Sequence, residues 1–330
     1  MADNYILVTG SAGFIGFNLC HNLLKRGCKV VGIDNYNDYY LVDMKEARGN
    51  VLKAYPNFTE YRLSIEKYND LEQIFKKYKF DCVMNLAAQA GVRHSLSHPF
   101  VYNDTNITGF LNILELVRHY NIPKLVYASS SSVYGGNTKY PFCETDPVTT
   151  PISLYAATKK ADELMAHSYS HLYGFQSIGL RFFTAYGPWG RPDMAMWLFA
   201  EAILAGKKIQ VFNHGKMKRD FTYIDDIVQG ITASIFSKGL DNYEIFNLGN
   251  NHCEQLLYMI SLIEKELGME AKKEMLPMQP GDIPEAFADI DKARKKLGYS
   301  PTTPIEKGIP NFIAWFKEYS DLTDLVKKSR

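Results

Sequence analysis

The chain has 330 residues, enough for one large domain or two lobes sharing a core. It is 46% hydrophobic, and 37 Lys+Arg against 36 Asp+Glu leave a formal net charge of +1. That balance argues against a nucleic-acid tail or a membrane-surface patch, and no apolar run reaches the ~18 residues of a spanning helix.

Residues 5–9, Tyr-Ile-Leu-Val-Thr, have the short apolar pattern of a buried parallel strand and leave no room for a secretory leader. Gly10-Ser-Ala-Gly13-Phe14-Ile15-Gly16 follows at once, then a helix over Phe17–Arg26 closed by Gly27. Strand, glycine loop and helix in that order are the setting of a dinucleotide site. Gly10 permits the tight turn, Gly13 lets backbone approach a pyrophosphate, Gly16 lets helix pack on sheet, and the helix N-terminus offers N–H groups to phosphate. A second strand, Lys29–Ile33, ends at Asp34, 18 residues past Gly16. A carboxylate there accepts from a ribose 2′-OH and repels a 2′-phosphate, so NAD is expected rather than NADP.

Further strands are expected at Asp81–Ala87, Lys124–Ser129 and Gln176–Leu180, separated by helices over Lys67–Tyr78, Thr105–His119 and Ser153–Tyr173. This alternation predicts an α/β fold with a doubly wound parallel sheet (Rossmann) and a smaller C-terminal α/β substrate lobe. Ligands should then sit at the carboxyl ends of the strands. The expected division is a cofactor domain over residues 1–180, with return segments near 224–250 (Ile224–Phe236 and Glu244–Asn247), and a substrate lobe over 181–223 and 251–330. In the lobe, proline and glycine mark turns at 187–192 and 279–282, and helices are expected at Met196–Ala205, Leu256–Leu267 and Ile305–Tyr319.

Tyr155 and Lys159 stand four apart on the expected Ser153–Tyr173 helix and so project from one face. A phenol holds its proton to pH about 10, and a nearby ammonium favours the phenolate. A serine from the Ser129–Ser132 run, at a neighbouring strand end, can share the proton. Such a trio can take a proton from a sugar hydroxyl while a nicotinamide takes the hydride. A Tyr-x-x-x-Lys pair by itself is common on helix surfaces, where it contributes a few tenths of a kcal/mol; the glycine loop and acid upstream give this one its weight. The five cysteines (Cys20, Cys28, Cys82, Cys143, Cys253) share no spacing and read as reduced thiols, as expected of a cytoplasmic protein. His167 and His171 lack a third ligand, so no metal is expected.

Taken in order, Thr9–Gly16, Asp34-Asn35, Asn85–Ala88, Ser129–Gly135, Tyr155-x-x-x-Lys159, Arg181–Thr184, Arg219–Asp226 and Pro280–Pro284 resemble the extended short-chain dehydrogenase/reductases, and within them the nucleotide-sugar 4-epimerases. Asp34–Tyr40, Ala87–Arg93, Ser153–Lys160 and Arg181–Met194 look like the UDP-glucuronate 4-epimerases. The resemblance implies interconversion of UDP-glucuronate and UDP-galacturonate through a 4-keto sugar, with tightly bound NAD regenerated each cycle. Aligned on Val133-Tyr134-Gly135, it makes Ser130 the family's catalytic Ser/Thr beside Tyr155 and Lys159. It places NAD against Gly10, Gly13, Phe14, Ile15 and Gly16, then Asp34, Asn35 and Asn37. Ser64 and Ile65, Leu86, Ala87, Ala88 and Gln89, then Asn106 and Phe182 complete that cofactor set, and Lys159 bonds the nicotinamide ribose.

For the substrate, the resemblance gives Arg219 to the diphosphate, Asp282 to the uridine ribose and the Gln210–Phe212 strand to uracil. A C5 carboxylate needs donors; Ser131, Ser132 and Thr184 supply hydroxyls, with Arg191, and Arg93 as a helper. Two departures stand out: Thr184 where UDP-glucose 4-epimerases usually carry Asn, and Ser64 where the family often has Asp toward adenine. Three other readings remain open: a neutral UDP-sugar 4-epimerase, a UDP-glucuronate decarboxylase, and a non-catalytic NAD-binding regulator. A dehydratase would need an acid–base pair where Ser131 and Ser132 stand. The family's homodimer, formed through Thr105–His119 and Ser153–Tyr173, is expected.

Overall fold

The computed structural model describes residues 5–279 and 282–328, so Pro280 and Gly281 of the expected Gln279–Asp282 turn lie outside the described residues. Seven parallel strands form the central sheet, in the order Tyr243–Leu248, β6 (Gln176–Phe182), β5 (Lys124–Ser130), β4 (Phe80–Asn85), β1 (Tyr5–Thr9), β2 (Lys29–Asp34), β3 (Phe58–Arg62). Chain order reverses between β1 and β4, so a crevice opens outside their carboxyl ends. The expected return of the chain is met, for Ile224–Phe236 is a helix and Tyr243–Leu248 pairs with β6.

Alternate residues of each strand serve opposite faces. Ile6 and Val8 of β1 pack with Phe17, Leu19 and Leu23, whereas Leu7 packs with Val31, Val83, Ile113 and Leu116. Helix α1 (Phe14–Lys25) begins three residues earlier than the apolar pattern predicts, directly after Gly13, so Gly16 lies in its first turn. The Tyr155 helix, Leu154–Tyr173, begins at Ser153, whose hydroxyl accepts from the Ala156 N–H at 3.1 Å, and ends at a left-handed Gly174. The segment expected as one α-helix over 105–119 opens instead as a π-helix, Asn103–Gly109, before Phe110–His119 continues as α. A Cβ on Gly109 would lie 2.6 Å from the Ile65 side chain, so Ile65 packs close against the backbone of the wide turn.

Beyond β6 the chain builds small sheets from strands of two to four residues, which periodicity does not reveal. Thr184–Tyr186 pairs in parallel with Phe221–Tyr223, Lys208–Val211 pairs with Lys272–Met275, and Lys218–Arg219 lies between Glu254–Gln255 and Glu285–Ala286. The expected Gln210–Phe212 strand is corrected: it ends at Val211, and Phe212 opens a turn in which Asn213 and His214 have φ of 50° and 49°. Left-handed backbone cannot continue a strand.

Candidate active site

A groove of about 260 Å³ runs along the carboxyl ends of the central strands, from the glycine loop to Tyr155 and Lys159. At one end Gly10 has φ 71°, and an added Cβ would lie 2.9 Å from the Ala87 nitrogen. A Cβ on Gly16 would lie 2.0 Å from the Gly10 carbonyl oxygen. Backbone therefore passes against backbone, and the first turn of α1, whose N–H groups have no partner within the helix, faces the groove. The carboxylate of Asp34 lines it too, accepting from the Ala12 N–H at 3.0 Å and the Tyr36 N–H at 2.8 Å. Burial pushes this carboxyl up, opposed by those two N–H groups and by the Lys45 and Arg48 charges. A glycine cradle, a helix N-terminus and an acid in one groove fit an NAD pyrophosphate and adenosine ribose.

Of the residues expected at the cofactor, Phe14, Ile15, Asn35, Asn37, Ser64, Ile65, Leu86, Ala87, Ala88, Gln89 and Phe182 all line this groove. Asn106 does not. It is 1% exposed, and its amide accepts from the Gln89 N–H and donates to the Gln89 carbonyl and to Thr158, so it braces the wall from behind. Ser64 donates to Glu66, which also accepts from Thr105, while Asn35 reaches Ser64 at 3.3 Å.

At the other end Ser130, the last residue of β5, shares the groove with Tyr155 and Lys159. Its hydroxyl lies 2.7 Å from that of Ser132 and accepts from the Ser132 N–H, which fixes the half-buried turn holding Ser131 and Ser132. Ser129 lines the groove too, but its hydroxyl donates to Glu163, which Arg181 grips through two bonds of 2.8 and 2.9 Å. Burial pushes the Glu163 carboxyl up, but Arg181, Ser129 and Lys160 outweigh it and hold the carboxyl below its ordinary value. Lys159 donates to Asp162 Oδ2 at 2.8 Å, both side chains buried.

Thr184 and Arg191 line a smaller apolar hollow of about 50 Å³; Arg191 and Met194 line the groove as well, so the two are contiguous. The Arg191 guanidinium clasps Asp193, which also accepts from Tyr39. The remaining substrate candidates gather separately. Arg93 bonds Asp282 at 3.4 Å and lies over the Phe212 ring at 5.2 Å, and Arg219 donates to the Lys218 and Pro284 carbonyls. Arg93, expected to help hold a C5 carboxylate, stands beside Asp282 and the Phe212 ring. Gln210 is exposed on its short strand.

Several groove residues escaped sequence reasoning: Tyr39, Tyr40, Lys45, Thr105 and Met194. Lys45 donates to Asn37, and the fully buried Arg48 bridges the Ala12 carbonyl, Tyr40 and the Trp189 carbonyl, tying glycine loop to substrate loop. Asp162 was also missed, although its spacing of three from Lys159 signals the contact.

A family model described as GDP-mannose 4,6 dehydratase matches residues 7–312. The chain is 54% identical over 318 residues to an uncharacterised protein of Methanocaldococcus jannaschii, covering 96% of this chain and 97% of that one. It is 45% identical over 324 residues to a UDP-glucuronate 4-epimerase of Thermodesulfobacterium geofontis, covering 98% and 99%. The crystal structure of a Bacillus cereus UDP-glucuronic acid 4-epimerase in complex with UDP-glucuronic acid and NAD superimposes with a TM-score of 0.90 at 35% identity, over 96% of this chain and 99% of that one. With the groove, the glycine cradle and the Tyr155–Lys159 helix, these likenesses place the chain in the extended short-chain dehydrogenase/reductase family.

Proposed function

We propose that this chain is an NAD-dependent 4-epimerase interconverting UDP-glucuronate and UDP-galacturonate. One observation carries the proposal: Ser130, Tyr155 and Lys159 share a groove with the glycine cradle and Asp34, and that groove continues to Arg191 beside Thr184. The first group suits removal of a hydroxyl proton beside a nicotinamide, and the second offers donors to a carboxylate.

NAD, when bound, supplies a reversible hydride acceptor for C4 of the sugar. Tyr155 Oη takes the proton of the C4 hydroxyl and returns it once the 4-keto sugar has presented its other face, with Ser130 Oγ bonding the same oxygen. Lys159 supplies the positive charge that favours the phenolate. Ser131, Ser132 and Thr184 donate hydroxyls to the C5 carboxylate, with Arg191 for charge. A 4-keto uronate is a β-keto acid, which loses carbon dioxide when its carboxylate stands perpendicular to the carbonyl plane; donors on fixed backbone hold it nearer that plane. Arg219, Asp282 and Phe212 take the uridine diphosphate end. Residues 1–180 with returns near 224–250 form the NAD domain, and 181–223 with 251–330 the UDP-sugar lobe.

UDP-glucuronate deuterated at C4 tests the chemistry. Product that keeps its deuterium at C4 fits hydride removed and returned within one site; loss of the label to solvent contradicts it.

The described part of Ile305–Lys328 and the other helices include none long and apolar enough to cross a membrane. Five free thiols suit a reducing compartment such as the cytoplasm. Leu111, Leu164, Leu172 and Tyr173 stand 38%, 58%, 67% and 45% exposed on the two helices expected to pair between copies. We infer a homodimer through them; sizing chromatography yielding a monomer at micromolar concentration contradicts it.

A further inference from the structure

Tyr155, Lys159 and Asp162 succeed one another at spacings of four and three, so one helix face carries all three. The side chains of Lys159 and Asp162 are 3% and 1% exposed, with nitrogen and oxygen 2.8 Å apart. The other carboxylate oxygen, Asp162 Oδ1, is buried with no hydrogen-bond partner among the described residues. Burial without a counter-ion favours the neutral form of an amine, and a neutral Lys159 lends Tyr155 no field. The charges that reach Asp162 come from Lys159 and Glu163 on its own helix, and the Tyr127 phenol of β5 faces the same region. Glu163 is already matched by Arg181 of β6 and by Lys160, and the 103–119 segment meets this stretch through the Asn106 amide on Thr158. Lys159 is therefore the cation that Asp162 answers.

We propose that Asp162 is a positioning residue for the proton transfer: it keeps the buried Lys159 ammonium charged, draws part of its field away from the Tyr155 oxygen, and so sets the pH window of the reaction. The proposal rests on the 4-epimerase reading for its kinetic readout, not for its electrostatics. Burial pushes the Asp162 carboxyl up to about 6, against the lowering by Lys159.

Asp162→Asn keeps the shape and removes the charge. Two effects then act in the same direction. Without its counter-ion the ammonium gives up its proton more readily, which brings the alkaline limb of activity down. Undiminished by the carboxylate, the ammonium also favours the phenolate more strongly, which brings the acid limb down.

The experiment measures kcat/KM for UDP-glucuronate against pH at saturating NAD, for the parent, Asp162→Asn and Asp162→Glu. In parallel, phenolate absorbance is titrated as the difference between each protein and its Tyr155→Phe counterpart. Both limbs and the phenolate titration should move to lower pH by about one unit in Asp162→Asn and return toward the parent in Asp162→Glu. A folded Asp162→Asn protein with unmoved limbs and an unmoved phenolate titration overturns the proposal. Should that variant not fold, Asp162→Ser, smaller and neutral, carries the same comparison. A parent that turns over no UDP-sugar refutes the 4-epimerase reading, while the phenolate titration still decides the role of Asp162.

Discussion

Gly16→Ala is a single methyl added inside a helix, a change that normally helps. In an open helix Ala is favoured over Gly by about 1 kcal/mol. Here the sign reverses because of what the methyl meets. Its carbon would stand 2.0 Å from the Gly10 carbonyl oxygen, 2.8 Å from the Gly10 carbonyl carbon and 3.1 Å from Ser11 Cα, all of them backbone. An unstrained carbon–oxygen contact is about 3.2 Å or more, so α1 and the glycine turn must separate by roughly 1 Å. Overpacking of this kind costs about 1–3 kcal/mol, leaving a net loss of up to about 2 kcal/mol after the propensity gain. The same displacement draws the helix N-terminus away from a pyrophosphate, so NAD affinity should fall about tenfold or more, tenfold being 1.4 kcal/mol. The assay pairs NAD content after gel filtration with thermal unfolding. Gly136→Ala is the control, since its methyl meets Ile152 at 4.0 Å, an ordinary contact. A Gly16→Ala protein that keeps the parent's NAD content and melting temperature would refute the close-approach argument.

Tyr155→Phe should lower turnover of UDP-glucuronate by about 10²–10⁴, the usual contribution of a placed acid–base group, while NAD content holds; near-normal turnover removes Tyr155 from the chemistry. Ser131→Ala should raise KM for the uronate more than it lowers kcat, and an unchanged KM would count against the carboxylate role. Glu163→Ala strands the Arg181 charge, whose side chain is 3% exposed, and should cost about 3–5 kcal/mol in urea unfolding. Since the folded Glu163 carboxyl is held below its ordinary value of about 4, its contribution is complete above that pH and fades as pH falls through the lowered value. The stability gap between the parent and Glu163→Gln should therefore narrow in acid, and a gap independent of pH would contradict it.

The residues legible in advance were those whose type and spacing are dictated by one local demand. Gly10, Gly13 and Gly16 are needed for close approach, Asp34 ends a buried strand, and Tyr155 and Lys159 share a helix face. All of them line one groove. What stayed hidden depends on partners distant in sequence. Strand β3 is half-buried along most of its length and shows no apolar signal, because it closes the edge of the sheet. The wide turn at Asn103–Gly109 carries no signal in its own residues, and Ile65, distant in sequence, packs against Gly109 within it. Arg48 reads as an ordinary surface cation on a weakly patterned helix, yet it is 0% exposed because carbonyls from two loops converge on it. The strand expected through Phe212 failed for a local reason, the left-handed Asn213 and His214 that follow. The surroundings of Arg93 depend on a distant segment, since its partner Asp282 stands 189 residues away.

The central claim is the identity of the reaction, and product analysis by proton NMR tests it most directly. The purified protein, without added NAD, is given UDP-glucuronate and, separately, UDP-glucose. The account predicts UDP-galacturonate from the first and little change in the second. UDP-xylose from the first, UDP-galactose from the second, or no product even after NAD is supplied would each contradict it.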